Sequence, residues 1–397
     1  MCSFRVVGIS DEARPVFSDE VNGIIASAHY FSGAARHYDL VKHLLPANHQ
    51  WMEVVVPLQL TFEQYRALNE EIVVFASGDP LFFGIANTLK RDFPDASLKV
   101  YPTFNSLQML AHHCHLPYGL MKVATLTGRP WPNLDKELVQ GSDFIGVLTD
   151  KNKTPAAIGQ RMKEAGLLNY KVYLGERMGG ELQVVRELSV DELASVESIM
   201  PNCLILEKTV HFERTFGIPE EGFHHLEGRP KMITKRSIRL MTLSMLKLDT
   251  AKVLWDIGFC TGSVSIEAKQ MAPQMEVFSI EKRKESRALI QKNQQKFRIP
   301  GIKYCIDDFY TFDLSKWKVP DRIFIGGHGG RLKEMVARLE TYLQPGGIMV
   351  FNAVSDETAT AFKEAIEAVS MTISDKMPIQ QDDHNPVTLY QAIKNNS

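Results

Sequence analysis

The feature that most constrains the fold is a pattern of strand, glycine loop and helix in residues 253–267. An apolar run predicts a buried strand, Gly258 and Gly262 bound a tight turn, and the residues from Ser263 onward predict a helix. Glycines let the backbone come close to a ligand, and a helix N-terminus offers unpaired N–H groups with partial positive charge. The stretch therefore predicts a cofactor site.

A similar pattern lies in the N-terminal half. Residues 71–76 form an apolar run, residues 77–84 form a loop with two glycines, and a helical pattern follows from Ile85. Asp79 is a candidate side-chain cap for that helix, and Pro80 suits a first helical position, where a missing N–H costs nothing. A capped helix start does not explain two glycines and three large apolar residues in one short loop.

Composition limits the class of protein. With 397 residues, 44% of them apolar and 23% charged, the chain can bury two ordinary domain cores. The net charge of −2 comes from interspersed acids and bases, so we expect no binding to nucleic acid or to a membrane. The five scattered cysteines lack a C-x-x-C pair, which argues against disulfides and bound metal. We expect a soluble, cytoplasmic protein, because no signal or membrane-spanning pattern is present.

Strands alternate with helices along the chain, which predicts the α/β class. The periodicity lapses in residues 212–230, where Gly, Pro, His and Glu predominate, and this marks a boundary region. We predict two domains, 1–208 and 209–397. Residues 386–393 alternate in polarity like an edge strand.

Acidic residues follow the strands of the second half. Glu281 ends a predicted strand about 20 residues beyond the glycine loop, where a carboxylate can accept hydrogen bonds from a ribose diol. Both NAD and S-adenosylmethionine satisfy this pattern. The missing third spaced glycine, the second acidic strand end at Asp307 and Asp308, and the Pro-Gly-Gly turn at 345–347 favour S-adenosylmethionine.

The first half resembles the tetrapyrrole (class III) methyltransferases, specifically those that methylate meso position 5 in corrin synthesis. The matching segments are 76–84, 126–130, 148–150, 154–158 and 175–177. The resemblance implies an α/β fold of two small lobes.

From about residue 218 the chain resembles the class I, decarboxylating precorrin methylases that act at meso position 15. The matching segments are 218–223, 232–236, 256–258, 261–267, 325–330 and 385–387. This resemblance implies a Rossmann-like fold. The order of the halves is similar to that of the fused bifunctional enzymes of corrin synthesis.

Together the resemblances imply two methylations and a decarboxylation of a precorrin or cobalt-precorrin macrocycle, with an S-adenosylmethionine site in each half. In the second site, residues 258–262 would wrap the amino acid part, Glu281 would hold the ribose, and Asp308 and Phe309 would flank the adenine. By motif match the cofactor-binding residues are Gly78, Asp79, Pro80, Phe82, Thr234, Gly258, Phe259, Cys260, Thr261, Gly262, Glu281, Asp308 and Phe309. We also expect a homo-oligomer.

The chain departs from these families at two loops. In the family that the first half resembles, the first strand normally ends in Gly-Pro-Gly, whereas Gly8 and Ile9 are followed here by Ser-Asp-Glu-Ala-Arg. Cys260 stands where the second family usually has glycine, and a small side chain fits if its φ is negative.

The substrate carries many carboxylates and therefore requires cations. The substrate-binding candidates are Lys235, Arg236 and Arg331, with Lys231 and Arg239 as further possibilities. His328 lies in a glycine turn at a strand's carboxyl end, where it could move a proton or pair with a carboxylate. Asn352 ends the neighbouring strand and is a weaker catalytic candidate of the same kind.

Two alternatives stay open. An RNA or protein methyltransferase would carry a basic stripe or an Asn-Pro-Pro-Tyr type motif after the fourth strand, where residues 326–330 are rich in glycine instead. A protein that binds S-adenosylmethionine in both halves but is active only in the C-terminal half is favoured by the missing Gly-Pro-Gly loop.

Overall fold

The computed structural model describes residues 2–380 and 386–396. The chain divides into two compact units: the first is Met1–Gly128, Asp143–Ile158 and Lys171–Glu207, and the second is Arg129–Ser142, Gly159–Tyr170 and Lys208–Ser397. The predicted boundary between 208 and 209 stays a prediction. Within the described residues, no helix is both long and apolar enough to span a bilayer.

The first sheet of the first unit is parallel and has the strand order β3-β2-β4-β1-β5. Its strands are β1 (Ser3–Ile9), β2 (Tyr30–Gly33), β3 (Gln50–Glu53), β4 (Glu71–Ser77) and β5 (Ser97–Tyr101). Alternate residues of β4 pack on opposite faces, with Ile72 and Val74 in one apolar cluster and Val73 and Phe75 in another. Because both faces of this strand are buried against apolar residues, its sequence is one continuous apolar run.

The second sheet of the first unit is mixed and has the order β6-β7-β10-β8-β9. Its strands are β6 (Lys122–Thr125), β7 (Phe144–Leu148), β8 (Tyr170–Glu176), β9 (Val184–Ser189) and β10 (Asn202–Lys208). The two sheets confirm the expectation of two α/β lobes.

The sheet of the second unit has the order β13-β12-β11-β14-β15-β17-β16, which confirms the expected Rossmann-like α/β fold. Its strands are β11 (Val253–Ile257), β12 (Glu276–Glu281), β13 (Ile302–Ile306), β14 (Arg322–Ile325), β15 (Ile348–Ala353), β16 (Met371–Ile379) and β17 (Val387–Lys394). The strands β11 to β15 are parallel, and β17 runs antiparallel between β15 and β16. The prediction of an edge strand at 386–393 is therefore wrong, because β16 pairs with the outer side of β17.

Helices connect the strands. They are α1 (Asp19–Ser27), α2 (Ala35–Val41), α3 (Gln59–Leu68), α4 (Ile85–Asp92), α5 (Ser106–His113), α6 (Pro132–Gln140), α7 (Pro155–Glu164), α8 (Val190–Leu193), α9 (Arg236–Met245), α10 (Ser263–Met271), α11 (Ser286–Phe297), α12 (Leu332–Tyr342) and α13 (Asp356–Glu367). Short 3₁₀ helices lie at Lys42–Leu44, Tyr118–Leu120, Glu220–Gly222 and Leu314–Lys316. The helix α4 begins at Ile85 with Gly84 as its N-cap, so the predictions that Asp79 caps this helix and that Pro80 suits its first position are both wrong. The Asp79 carboxylate instead accepts from the Leu81 N–H (2.9 Å) in the preceding turn.

A charged cluster lies inside the second unit. Arg161 donates two hydrogen bonds of 2.7 Å to the carboxylate of Asp135 on α6. Lys269 on α10 is fully buried, donates to the Met275 carbonyl (2.6 Å), and has its Nζ 3.9 Å from the same carboxylate. Burial lowers the pKa of Lys269 to about 8. The segment that contains α6 is therefore part of the buried polar interior of this unit.

Candidate active site

The loop after β11 brings the backbone close to the neighbouring strand ends. Gly258 has a φ of 80°, and a Cβ there would lie 2.7 Å from the Gly327 backbone nitrogen. Gly262 has a φ of 76° and is the N-cap of α10. Because both positions lie in the left-handed region, glycine is the residue that the turn requires. The predicted strand, turn and helix are confirmed.

Cys260 in the same loop has a φ of 48°, so the condition of a negative φ, under which a small side chain was expected to fit, is not met. Its N–H donates to Glu281 Oε2 (3.2 Å), and its thiol donates to the Met232 carbonyl (3.2 Å). Burial raises the pKa of the thiol to about 11, so the sulfur keeps the proton that it donates. These two bonds hold the residue in a conformation that costs a non-glycine residue about 1–2 kcal/mol.

A cavity of about 210 Å³ lies at the carboxyl ends of β11, β12 and β14. The predicted residues that line it are Gly258, Glu281, Asp308, Phe309, His328 and Arg331. Glu281 is 3% exposed, and its Oε1 accepts from the N–H (3.1 Å) and the guanidinium (3.0 Å) of Arg283. A carboxylate offers about four lone-pair positions, so Glu281 can still accept a hydrogen bond from a hydroxyl in the cavity.

His328 is a neutral donor in this cavity. The Gly330 N–H donates to its Nδ1 (3.2 Å), which places the ring proton on Nε2. Partial burial lowers the pKa of His328, which favours the uncharged ring near neutral pH. His328 can therefore donate a hydrogen bond from Nε2, but it does not supply a positive charge.

A larger cavity of about 570 Å³ adjoins the first, and both are lined by Gly258, Arg283 and Gly327. The predicted residues that line the larger cavity are Thr234, Lys235, Gly258, Phe259, Cys260, Thr261 and Asn352. The amide of Asn352 donates to Thr242 Oγ1 (2.9 Å), and that hydroxyl donates to the Ile238 carbonyl (2.8 Å). This chain of bonds orients Asn352 at the cavity wall. The structure does not bring His328 and Asn352 into one cavity.

The predicted substrate cations are divided between several places. Lys231 and Lys235 line the larger cavity, whereas Arg236 lines neither. Arg331 lines the smaller cavity, is paired with Glu334 (2.8 Å), and lies over the Tyr310 ring. The roles of these residues stay predictions.

Arg239 is placed in the core, so its interpretation as a substrate cation is wrong. It is fully buried and forms an ion pair with Glu267, which is also fully buried. The Arg239 guanidinium also donates to the backbone carbonyls of Thr234 (2.5 Å) and Ile218, and Glu267 accepts from the N–H groups of Gly217 and Ile218. The pair fixes the segments that precede α9 and carry Thr234.

Asp256 and Thr261 place two polar groups in the larger cavity, and the sequence did not indicate that these two residues act together. Each is 1% exposed and lines the larger cavity. Among the described residues, neither Asp256 Oδ1 nor Thr261 Oγ1 has a hydrogen-bond partner. Burial raises the pKa of Asp256 to about 7. The available signal was an acid inside an apolar strand directly before the glycine loop.

The residues of the first half that are predicted to bind S-adenosylmethionine lie on the loop after β4. Gly78 has a φ of 60°, and its N–H donates to the Ile9 carbonyl (2.8 Å). A Cβ at Gly78 would lie 2.8 Å from Asn105 Cα, so this position also requires glycine. Pro80 is buried, and Phe82 packs against an apolar cluster that includes Leu107. The roles of Gly78, Asp79, Pro80 and Phe82 stay predictions, and Asn385 of the matching segment 385–387 lies outside the described residues.

Comparison with known proteins gives consistent matches over both halves. A family model described as "Precorrin methyltransferase domain" matches residues 226–394. The "Precorrin-6Y C(5,15)-methyltransferase [decarboxylating]" of Sinorhizobium sp is 28% identical over 355 residues, which are 89% of this chain and 84% of that protein. A solved structure of precorrin-6y C5,15-methyltransferase from Geobacter metallireducens is 32% identical, with a TM-score of 0.40, and the match covers 45% of this chain and 97% of that one.

A further relative is shorter. The "Cobalt-precorrin-6B C(15)-methyltransferase (decarboxylating)" of Salmonella typhimurium is 33% identical over 132 residues, which are 33% of this chain and 67% of that protein. The chain belongs to the family of decarboxylating precorrin methyltransferases.

Proposed function

We propose that this chain methylates a precorrin at meso positions 5 and 15 and removes carbon dioxide from a ring acetate in cobalamin biosynthesis. The N-terminal half would carry out the methylation at position 5, and the C-terminal half the methylation at position 15 with the decarboxylation. The observation that carries the proposal is the pair of adjoining cavities in the second unit, which meet at Gly258, Arg283 and Gly327. A methyl donor that crosses this junction would present its methyl group to a macrocycle in the larger cavity.

The residues around the junction fit S-adenosylmethionine. Gly258 leaves room where a Cβ would meet Gly327, and Glu281 offers a buried carboxylate to a ribose diol. Asp256 and Thr261 offer unpartnered, buried oxygens, which are suitable acceptors for an amino group. When bound, S-adenosylmethionine supplies the electrophilic methyl group. The protein's own contribution is to align the reactants and exclude water.

The larger cavity also suits an acidic macrocycle. Lys231 and Lys235 line its wall and can pair with carboxylates, while Ile233, Phe259 and Val354 supply apolar surface. His328 and Asn352 would hold polar groups of the reactants by hydrogen bonds. Each methylation would form a carbon–carbon bond at a meso carbon while the bond between that methyl group and the sulfonium sulfur breaks, with S-adenosylhomocysteine as the leaving group. The meso carbon would then release a proton. Decarboxylation would break the bond between the acetate methylene and the carboxyl carbon, and the methylene carbon would then take up a proton and become a methyl group.

We further propose a second S-adenosylmethionine site in the N-terminal half, at the loop after β4. The support is the same combination of parallel strand end, tight glycine turn and following helix, here β4, Gly78 and α4.

The expectation of a homo-oligomer also stays a prediction, and light scattering of the purified chain would test it.

Mass spectrometry of a precorrin incubated with the full chain and S-adenosylmethionine tests the proposed function. We expect the product to gain two methyl groups and to lose one carbon dioxide. An unchanged macrocycle would overturn the proposal.

A second candidate function is a chain in which only the C-terminal half is active. The loop after β1 favours it, because Ser10 and Asp11 lack the family's glycines and pack tightly on another loop. A Cβ on Gly179 would lie 3.0 Å from Ser10 Cβ, and one on Gly180 would lie 2.8 Å from the Asp11 carbonyl oxygen. A product with one added methyl group and one carbon dioxide lost would select this candidate.

A further inference from the structure

A polar cluster lies at the carboxyl ends of β1, β2 and β4 in the first unit. It consists of Asp11, Arg36, His37 and Ser77. Arg36 forms an ion pair with Asp11 through Nη1 and donates from Nη2 to Ser77 Oγ (2.6 Å). Nε2 of His37 lies 3.0 Å from the same serine oxygen. Ser77 is the last residue of β4 and directly precedes Gly78.

The hydrogen-bond directions within the cluster can be assigned. The Ala34 N–H donates to Nδ1 of His37 (3.3 Å), so the ring proton is on Nε2. His37 is 7% exposed, and its burial, together with the Arg36 charge, lowers its pKa to about 4. A neutral ring protonated on Nε2 can only donate from that atom. Ser77 Oγ therefore accepts a hydrogen bond from Arg36 and lies within reach of the His37 N–H, for which the Phe75 backbone carbonyl is a second acceptor.

The hydroxyl hydrogen of Ser77 has no acceptor in the part of the chain that the structure describes. Since its lone pairs face Arg36 and His37, and its side chain is exposed, the O–H bond points away from the cluster. The guanidinium of Arg36 carries five N–H donors; it donates to Asp11 and Ser77, and its Nη2 lies 3.5 Å from His37 Nε2. The cluster thus presents N–H and O–H donors beside the Asp11 carboxylate, whose Oδ1 is paired with Arg36.

Apolar surface borders these donors. Phe83 in the loop after β4 is 56% exposed, and Phe104 in the loop after β5 is 53% exposed. The Phe104 carbonyl would lie 3.3 Å from a Cβ on Gly78, which places the second loop directly beside the residue after Ser77. Exposed rings next to unsatisfied donors suit a ligand that combines an apolar body with anionic groups.

We propose that Ser77 and Arg36 form a carboxylate-binding subsite of the N-terminal half, in which His37 and Asp11 are positioning residues. The inference rests on the proposed function, since the reactants of that function provide the carboxylates. The carboxylate belongs either to the macrocycle or to the methionine part of S-adenosylmethionine. A carboxylate can accept hydrogen bonds from a hydroxyl and a guanidinium together, because each of its two oxygens is an acceptor.

Kinetics of the full chain test the subsite, with products resolved by mass so that methylation at positions 5 and 15 is followed separately. Ser77→Ala and Arg36→Gln should raise one KM of the reaction at position 5 by about tenfold or more, because each removes a hydrogen bond to a charged group. The kcat of that reaction should change less than the KM. The reaction at position 15 serves as an internal control and should not change.

The KM that rises identifies the source of the carboxylate: the macrocycle's KM if it is a ring side chain, and the donor's KM if it is the methionine part. Ser77→Thr keeps the hydroxyl and should restore most of the affinity, which a purely structural role of the cluster would not predict. Ser27→Ala is a matched control, because Ser27 is exposed and its hydroxyl bonds only to carbonyls of its own helix. Unchanged KM values in both Ser77→Ala and Arg36→Gln, or an equal loss of both reactions, would overturn the subsite.

A failure of the proposed function can be distinguished from a failure of the subsite. If the unaltered chain transfers no methyl group to position 5, the second methylation is absent. Calorimetric titration with S-adenosylhomocysteine and, separately, with the precorrin then tests the subsite by itself: weaker binding of either ligand by Ser77→Ala supports it, and unchanged binding of both overturns it.

Discussion

Cys260 adopts a backbone conformation that glycine reaches without strain. We expect Cys260→Gly to raise the free energy of unfolding of the second unit by up to about 1 kcal/mol, because relief of the left-handed strain exceeds the loss of the bond to Met232. Binding of S-adenosylhomocysteine should be kept or improved. Cys260→Val, with a branched side chain at the same φ, should destabilise the second unit and abolish S-adenosylhomocysteine binding at the site in that unit. Urea denaturation and calorimetry measure both effects, and a glycine variant less stable than the unaltered chain would contradict the expectation.

Asp256 links stability to pH. Burial raises its pKa to about 7, whereas an unfolded aspartate has a pKa near 3.9. Between about pH 4 and pH 7 the unfolded chain releases this proton and the folded chain keeps it, so this group lowers stability as the pH rises through that window. The full effect is on the order of 4 kcal/mol.

In Asp256→Asn this contribution is absent, and stability should fall less between pH 4 and pH 7 than in the unaltered chain. Denaturation curves at several pH values measure the difference. Asp249→Asn, at an exposed position, should retain the original profile. Identical profiles for the unaltered chain and Asp256→Asn would show that the raised pKa is not realised.

At the scale of single elements, the buried pair of Arg239 and Glu267 joins α9 to α10 and to the segments before α9. Arg239→Met should destabilise the second unit by about 3–5 kcal/mol, because it leaves the buried Glu267 carboxylate without its counter-charge. Lys333→Met is the matched control: Lys333 pairs with Glu364 at the surface, and its loss should cost less than about 0.5 kcal/mol. Equal effects of the two variants in urea denaturation would show that burial does not determine the strength of the pair.

The sequence predicted the elements whose pattern is local. β4 and β11 are apolar on both faces, and the glycines that follow them were visible as turns. β2 was missed because its four residues include Ser32 and Gly33, and β16 was missed because many of its residues are exposed and break the apolar run. Strand neighbours are not encoded locally, which is why β17 was predicted at the edge of the sheet.

The candidate site divides in the same way. Glu281 and Asp308 were predictable because acids at the ends of parallel strands meet at one edge of the sheet. The burial of Arg239 was not predictable, since its partner Glu267 lies 28 positions further along the chain. Tyr310 was also missed, because its hydroxyl bonds to the carbonyls of His328 and Arg331 depend on the folded loop.

At the scale of the whole molecule, the number of S-adenosylmethionine sites per chain is measurable. Two S-adenosylhomocysteine molecules should bind per unaltered chain, and one should bind to Glu281→Ala, because the variant lacks the carboxylate offered to the ribose in the second site. Glu367→Ala changes an exposed carboxylate on α13 and should still bind two. Calorimetric stoichiometry is the readout. A single site in the unaltered chain would contradict the proposed second site.

The contact of Lys269 with Asp135 bears on how this gene can be divided. A fragment expressed from residue 209 onward would lack α6, and with it the carboxylate that lies 3.9 Å from a fully buried ammonium group. Such a fragment would contain a buried ammonium group without its counter-charge. A low activity of the fragment would then reflect its lower stability rather than the chemistry of the C-terminal half. Point substitutions that silence one site in the intact polypeptide keep this contact and separate the two reactions cleanly.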